Sequence, residues 1–307
     1  MKWPNKYHKL KIFFTRLRGY QPRDEAGYLY WLSALVGVTA LGLAVWFGVG
    51  RLGGARIGTP PIDHTPVSDE EPKCLYRRTL DGLCVETARH VDPPLVTVMV
   101  ENNHEAWPLS GLSAARVVYE APVEGDIPRF MAVYAGNDDV DEVGPVRSAR
   151  PYYLDWVSEY GTPLYMHVGG SSAALLKIVE HEIFDIDEFS RGRYFWRDKK
   201  RAAPHNTYTS GKLWRKADDD YRQFYKKEPL EGWTFTDYEP CEAGCIERVS
   251  VPFGASSYTA TWVYSTSTNQ FMRFQGGSRQ YDRDQEPIVA DTVDEAGREL
   301  RRRLEVN

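Results

Sequence analysis

From Ala26 to Gly50 the chain runs through twenty-five residues without a charge, and "YLYWLSALVGVTALGLAVWFGVG" within it is apolar throughout. As a helix rising roughly 1.5 Å per residue it reaches about 37 Å, enough to cross a bilayer core with some tilt. Tyr28, Tyr30 and Trp31 stand at one end and Trp46 and Phe47 near the other, where aromatic side chains anchor a span at the interface. Ahead of it, residues 1–25 carry seven basic side chains (Lys2, Lys6, Lys9, Lys11, Arg16, Arg18 and Arg23) against Asp24 and Glu25. That bias predicts a single pass with the N-terminus in the cytoplasm and everything after Arg51 outside it. A cleaved signal peptide calls for a shorter apolar run and a small-x-small cleavage site. No cysteine lies nearby to take a lipid, the first being Cys74, so an uncleaved signal anchor is the reading.

The 307 residues leave room for one large or two modest domains beyond the anchor, and 13% aromatic content favours a packed core over disorder. The whole chain carries −5, so the part beyond the basic N-terminus is more acidic than the total. Nucleic acid is therefore excluded as a partner. Residues 52–72, "LGGARIGTPPIDHTPVSDEEP", read as a linker. The expected organisation is a cytoplasmic basic segment over 1–25, a transmembrane helix over 26–50, a linker over 51–72, an α/β domain over 73–231 and a β-rich C-terminal domain over 232–307.

Past Cys84 the apolar pattern alternates between strand and helix periods. "LVTVMVE" (95–101), "RVVYEAPV" and "RFMAVYA" read as strands, the last two separated by the turn "EGDIP". "SARPYYLDWVSEYG" reads as a helix with Ser148 or Arg150 as N-cap, Pro151 in its first turn and Gly161 past its end. "TPLYMHV" is a strand running through "GGSS" into the helix "AALLKIVEHEI", and "TSGKLWRKADDDYRQF" is a further helix. The fold class expected is α/β, a mixed sheet with flanking helices. From about Gly232 the strands become short, alternating and turn-punctuated, with "STSTNQ" as a hairpin connection, and "DEAGRELRRRLEVN" closes the chain as a polar helix or tail.

Four cysteines suit an oxidising compartment. Cys74 and Cys84 bracket "LYRRTLDGL", whose Asp81-Gly82 suggests a tight turn, so a bridge across a hairpin is expected. Cys241 and Cys245 in "PCEAGC" suit a second local bridge. Neither pair has zinc-site spacing.

Polar side chains with chemical potential fall at strand ends and in the loops after them: Glu101, Asn102 and His104; Glu120 and Glu124; Arg129; Arg147, Ser148 and Arg150; His167 and Ser171; His205 and Asn206. Two helix starts, in "PVRSARP" and "HVGGSSA", present unpaired backbone N–H groups that attract anions. Arg147 and Arg150 beside the first are apt to grip a phosphate or carboxylate. The alternative is an ion pair with Asp139, Asp141 or Glu142 in the loop before them. Glu120 with Glu124 suits an acid–base pair and His167 with Ser171 a base–nucleophile pair, although no G-x-S-x-G elbow accompanies the serine. Glu101, His104, His167 and His205 lack helical metal-site spacing, so neither metal nor cofactor is expected.

In series, "VMVENNHEAWPLSGLSAARVVYEAPVEGDIPRF", "VGPVRSARPYYLDW", "HVGGS" and "APHNTYT" resemble the YerB-like family of bacterial envelope proteins, assigned to a domain of unknown function. The resemblance covers about residues 95–290, and "GPVRSARPYY" is its most specific block. It implies an N-terminal α/β domain followed by a smaller C-terminal one, and it carries over no catalytic residue. Many relatives have a lipidated cysteine where this chain has an apolar helix. Relatives also continue with further β structure past the equivalent of "PIVADTV", so the C-terminal domain is expected to be shortened or incomplete.

These readings converge on a single-pass membrane protein of the cell envelope whose extracytoplasmic α/β domain binds an anionic ligand, such as a phosphate-bearing glycan or lipid intermediate. A hydrolase or transferase using Glu or His acid–base chemistry, and a non-catalytic adaptor for an envelope protein partner, are the competing readings.

Overall fold

The computed structural model describes residues 74–226, 246–293 and 299–301, with a few single positions between 227 and 245. The apolar run over 26–50 and the linker after it lie outside the described residues. Among the described residues, no helix is long and apolar enough to cross a membrane.

Strand β1 (Leu95–Glu101) is buried at every position, as is β3 (Pro128–Ala135). Such runs suit the middle of a sheet covered on both faces, where β-branched side chains need no polar alternation. β2 (Val117–Pro122) and β3 form a hairpin, turning through Gly125 and Asp126 in the left-handed region. β1 pairs antiparallel with β3, setting Glu101 opposite Arg129, and parallel with β4 (Leu164–His167). β5 (Asp185–Asp187) continues the parallel side. With β13 (Thr292–Val293) and β14 (Glu299–Arg301), the sheet has the order β13-β14-β2-β3-β1-β4-β5.

Helix α1 (Pro151–Ser158) starts at Arg150 as N-cap with proline in its first turn, and Gly161 follows its end at φ +69°. Helix α2 (Ser172–Glu180) is capped by Ser171, whose hydroxyl accepts from the Ala174 N–H at 3.3 Å. A short α3 (Glu188–Arg191) follows β5, and α4 (Gly211–Tyr221) follows a two-strand ribbon of β6 (Trp196–Arg197) and β7 (Thr207–Tyr208).

Strand alternation divides the core in two. Met99, Met131, Val133 and Tyr165 face Tyr153, Leu154 and Val157 of α1 and Ala174 and Ile178 of α2. Val98, Val100, Phe130, Ala132 and Met166 face the other way, in a cluster with Trp214 of α4 and with Trp262, Ile288 and Ala290 of the C-terminal strands. Those strands are β8 (Arg248–Val251), β9 (Ala260–Ser265), β10 (Gln270–Gln275), β11 (Ser278–Arg279) and β12 (Val289–Ala290), a smaller five-stranded sheet. Residues Glu71–Asn307 form one compact unit.

Cys74 and Cys84 are joined by a disulfide, Cα to Cα 5.6 Å, across a turn in which Gly82 takes φ +67°. Cys241 is also disulfide-bonded, while Cys245 lies outside the described residues. One local expectation differs. Within "DEAGRELRRRLEVN", Glu299–Arg301 is strand rather than helix, because the open edge of β2 offers backbone partners that outweigh a polar helical pattern.

Candidate functional site

The parallel strands β1 and β4 and the antiparallel β3 bring Glu101, His167 and Arg129 to one edge of the large sheet. Across that edge runs the extended segment 143–150. Its backbone bonds to β1 (Arg147 N–H to Met99 O, 2.9 Å), to β7 (Val146 N–H to Thr207 O, 2.7 Å) and to the turn before α2 (Ala149 N–H to Gly169 O, 2.9 Å). The starts of α1 and α2 therefore lie side by side, and the side chains of Arg147 and Arg150 are held at the strand ends.

There they border a cavity of about 190 Å³ lined by Glu101, Asn102, Glu124, Arg129, Arg147, Ser148 and Arg150, among others. Arg129 is buried and donates to the Ser148 carbonyl at 2.7 Å. Burial, and then the neighbouring charges of Arg150 and Arg147, push the Arg129 guanidinium below its ordinary pKa. Arg150 forms a two-pronged pair with Glu124, both contacts 2.6 Å, and this holds the Glu124 carboxyl down at about 2. Because Glu124 is two-thirds exposed, the pair is an open one that water and ligands can contest. Arg147 Nε lies 3.4 Å from Glu101 Oε1 without a hydrogen-bond partner among the described residues, while its Nη1 donates to the Pro204 carbonyl at 3.3 Å. Both arginines are therefore paired, but with carboxylates at the end of β1 and on the β2–β3 turn. Glu142 of the preceding loop instead meets Ser110 and Arg283, and Asp139 meets Arg215.

His205 shares Glu101, its Nδ1 2.9 Å from Oε2, and its Nε2 lies 2.9 Å from the exposed Glu105. Asn206 bonds to Arg197 and to the Arg201 carbonyl instead. His104 is exposed and its ring contacts Trp107 and Tyr258. His167 is fully buried between the Gly169 carbonyl (2.8 Å) and Asp185 (3.3 Å), and Ser171 serves as helix cap, so each has a structural partner other than the other. Glu120 and Glu124 are likewise separated. Glu120 is buried with Arg273 at 2.6 Å and Asn102 at 3.0 Å, and burial raises its pKa, whereas Glu124 sits on the exposed β2–β3 turn. Among the described residues, no group of three or more His, Cys, Asp and Glu side chains is placed to hold a metal.

The partners reaching Asn102 and Glu120 from the C-terminal sheet, Gln275 and Arg273, carry no local sequence signal: more than 150 residues separate each contact pair. Burial of a charged residue in an alternating strand was the one available hint, since Arg273 stands between Met272 and Phe274.

Residues 80–223 match the N-terminal domain of DUF3048, a family of proteins of unknown function. The Bacillus subtilis (strain 168) protein named "Putative lipoprotein YerB" is 31% identical over 204 residues, covering 64% of this chain and 59% of that protein. The chain thus spans less than two thirds of the length of that curated relative. The crystal structure of Bacillus subtilis YerB superposes with a TM-score of 0.60 at 26% identity, over 73% of this chain and 78% of the other.

Proposed function

Since this chain belongs to the YerB-like, DUF3048 family, we propose that it is a membrane-anchored envelope protein whose extracytoplasmic domain binds an anionic, phosphate- or carboxylate-bearing ligand in the pocket of Arg129, Arg147 and Arg150. The observation that carries this reading is the crowding of three guanidiniums around one cavity, with Arg129 buried and electrostatically opposed by the other two. Two carboxylates, Glu101 and Glu124, line the same cavity, so one positive charge is left over. An anion entering there relieves the mutual repulsion and takes charge-assisted hydrogen bonds from donors already in place. Glu124, exposed and on a turn, is the group such a ligand displaces from Arg150.

The site is tested by calorimetric titration of the full-length chain with inorganic diphosphate, beside the Arg147→Ala plus Arg150→Ala variant. Loss of the two guanidiniums should weaken binding at least about tenfold. Equal affinity, or no binding by either protein, removes the reading.

Support for the location comes from the uncharged run over 26–50, from the Cys74–Cys84 disulfide, which suits an oxidising compartment, and from the lipoprotein description of the relative. Alkaline phosphatase fused after Asn307 should be active in intact bacteria. An inactive fusion, with an active one when placed before Met1, would reverse the orientation.

A further inference from the structure

A second cavity, of about 250 Å³, opens where the C-terminal sheet meets the loop after β1. Trp107, Pro108 and Leu109 form one side of it. Gln275, Gln280, Tyr281, Asp282 and Ile288 are among the residues of the other. Three atoms there are buried and lack a hydrogen-bond partner among the described residues: Nε2 of Gln275, a donor, and two acceptors, Oε1 of Gln280 and Oδ1 of Asp282. The rest of each amide is committed. Gln275 Oε1 accepts from Gln280 Nε2 (2.9 Å), Arg273 (3.0 Å) and Asn102 (3.1 Å). Turning the Gln275 amide over would set its NH2 against three donors, so the network fixes which atom is left over.

Buried donors and acceptors without partners are costly and rare in native proteins, so they mark the place of something that completes them. Whatever sits here must accept from Gln275 and donate to the open oxygens of Gln280 and Asp282. A phosphate diester or a carboxylate only accepts, so although Arg279 also borders the cavity, such a group leaves the open oxygens of Gln280 and the buried Asp282 without a donor. A hydroxyl does both. Trp107 and the half-exposed Tyr281, over one face of which the Arg279 guanidinium lies 5.2 Å from the ring centre, add aromatic surfaces against which the C–H face of a pyranose ring packs. The volume falls below that of a drug-sized pocket, which suits one ring rather than a long ligand.

We propose that the cavity between Trp107 and Gln275–Ile288 is a subsite for a neutral sugar ring of a glycan chain. It is separate from the arginine pocket and stands without it, although Asn102 links the two. Asn102 lines the arginine pocket, accepts from Trp107 Nε1 at 3.0 Å and donates to Gln275. A glycan bearing a phosphate has the chemistry to use both.

The test is saturation-transfer NMR on the full-length chain with chitotriose and with maltotriose at about 10 mM, beside a Gly-Ser-Gly control peptide. Transfer to the ring protons of at least one sugar is expected, with affinity reduced at least about tenfold by Tyr281→Ala and by Gln280→Ala. Tyr281 is 40% exposed, so removing its ring leaves the core closed and keeps the test valid should Gln280→Ala unfold the sheet. Transfer from neither sugar means that water alone completes the amides and overturns the proposal. Affinity unchanged in the Tyr281 variant, transfer to the peptide only, or displacement of the sugar by excess inorganic phosphate overturns it as well, the last by placing the sugar in the arginine pocket. Because phosphate binding and sugar binding are read separately, failure of one proposal leaves the other standing.

Discussion

Arg147 and Arg150 sit three positions apart, yet their partners come from different places in the fold: Glu101 at the end of β1 and Glu124 on the β2–β3 turn. A reading of neighbours in sequence points to Asp139, Asp141 and Glu142, because nearness along the chain is the only nearness a sequence displays. The same limit applies to Asp282, whose pKa is raised to about 6 by burial, with the Ser113 N–H at 2.7 Å pulling the other way. Its folded pKa lies above the unfolded one, so between about pH 4 and pH 6 the folded chain binds the extra proton. Stability therefore falls as pH rises through that window, by no more than about 3 kcal/mol. Asp282→Asn, which keeps an acceptor for Ser113, should lose this slope and be the more stable of the two at pH 7. Urea midpoints at pH 4 and pH 7 measure it, and parallel pH profiles would contradict it.

At the scale of elements, period and punctuation carried most of the information. Leu95–Glu101, Pro128–Ala135 and Pro151–Ser158 stand where continuous apolar runs, a proline and a closing glycine place them. The three-residue β5 and the two-residue β6 and β7 are too short to show a period, and they exist because a neighbouring strand or loop supplies their hydrogen bonds. The segment that carries the arginines depends on such bonds, and on Gly144 at φ +152°. A Cβ there would stand 2.8 Å from the Thr207 carbonyl and 2.7 Å from the buried Tyr208 ring. At Gly169, φ +58°, the obstacle is only the exposed ring of Phe189. Gly144→Ala should accordingly cost about 2 kcal/mol or more, and Gly169→Ala about 1 kcal/mol. Thermal unfolding of the two variants side by side decides the order, and Gly169→Ala emerging as the worse would refute the account.

Across the whole molecule, the two sheets share a core around Trp214, Trp262 and Ile288, and they are joined by the buried pair of Glu120 and Arg273. Arg273 is fully buried and lies over the rings of Phe130 and Trp262, 5.1 and 5.3 Å from their centres. Removing one partner strands the other charge, so Glu120→Gln should cost about 3 kcal/mol or more. Adding Arg273→Met removes the stranded charge while keeping an apolar stem beside the rings, and should recover most of the loss. A double variant as unstable as the single one would show that the pair itself holds the sheets together.

Sequence alone carried the family resemblance, through blocks spread over about residues 95–290, and it determined the order of the long strands and helices, the Cys74–Cys84 bridge and the uncharged run before them, because each of these rests on spacing within some twenty residues. Which charges meet was decided only by the tertiary structure. The three arginines around one pocket, Glu120 against Arg273 and the open amides of Gln275 and Gln280 are all set by strand register and sheet packing. Those bring together residues that the chain keeps up to 173 positions apart, as with Asn102 and Gln275.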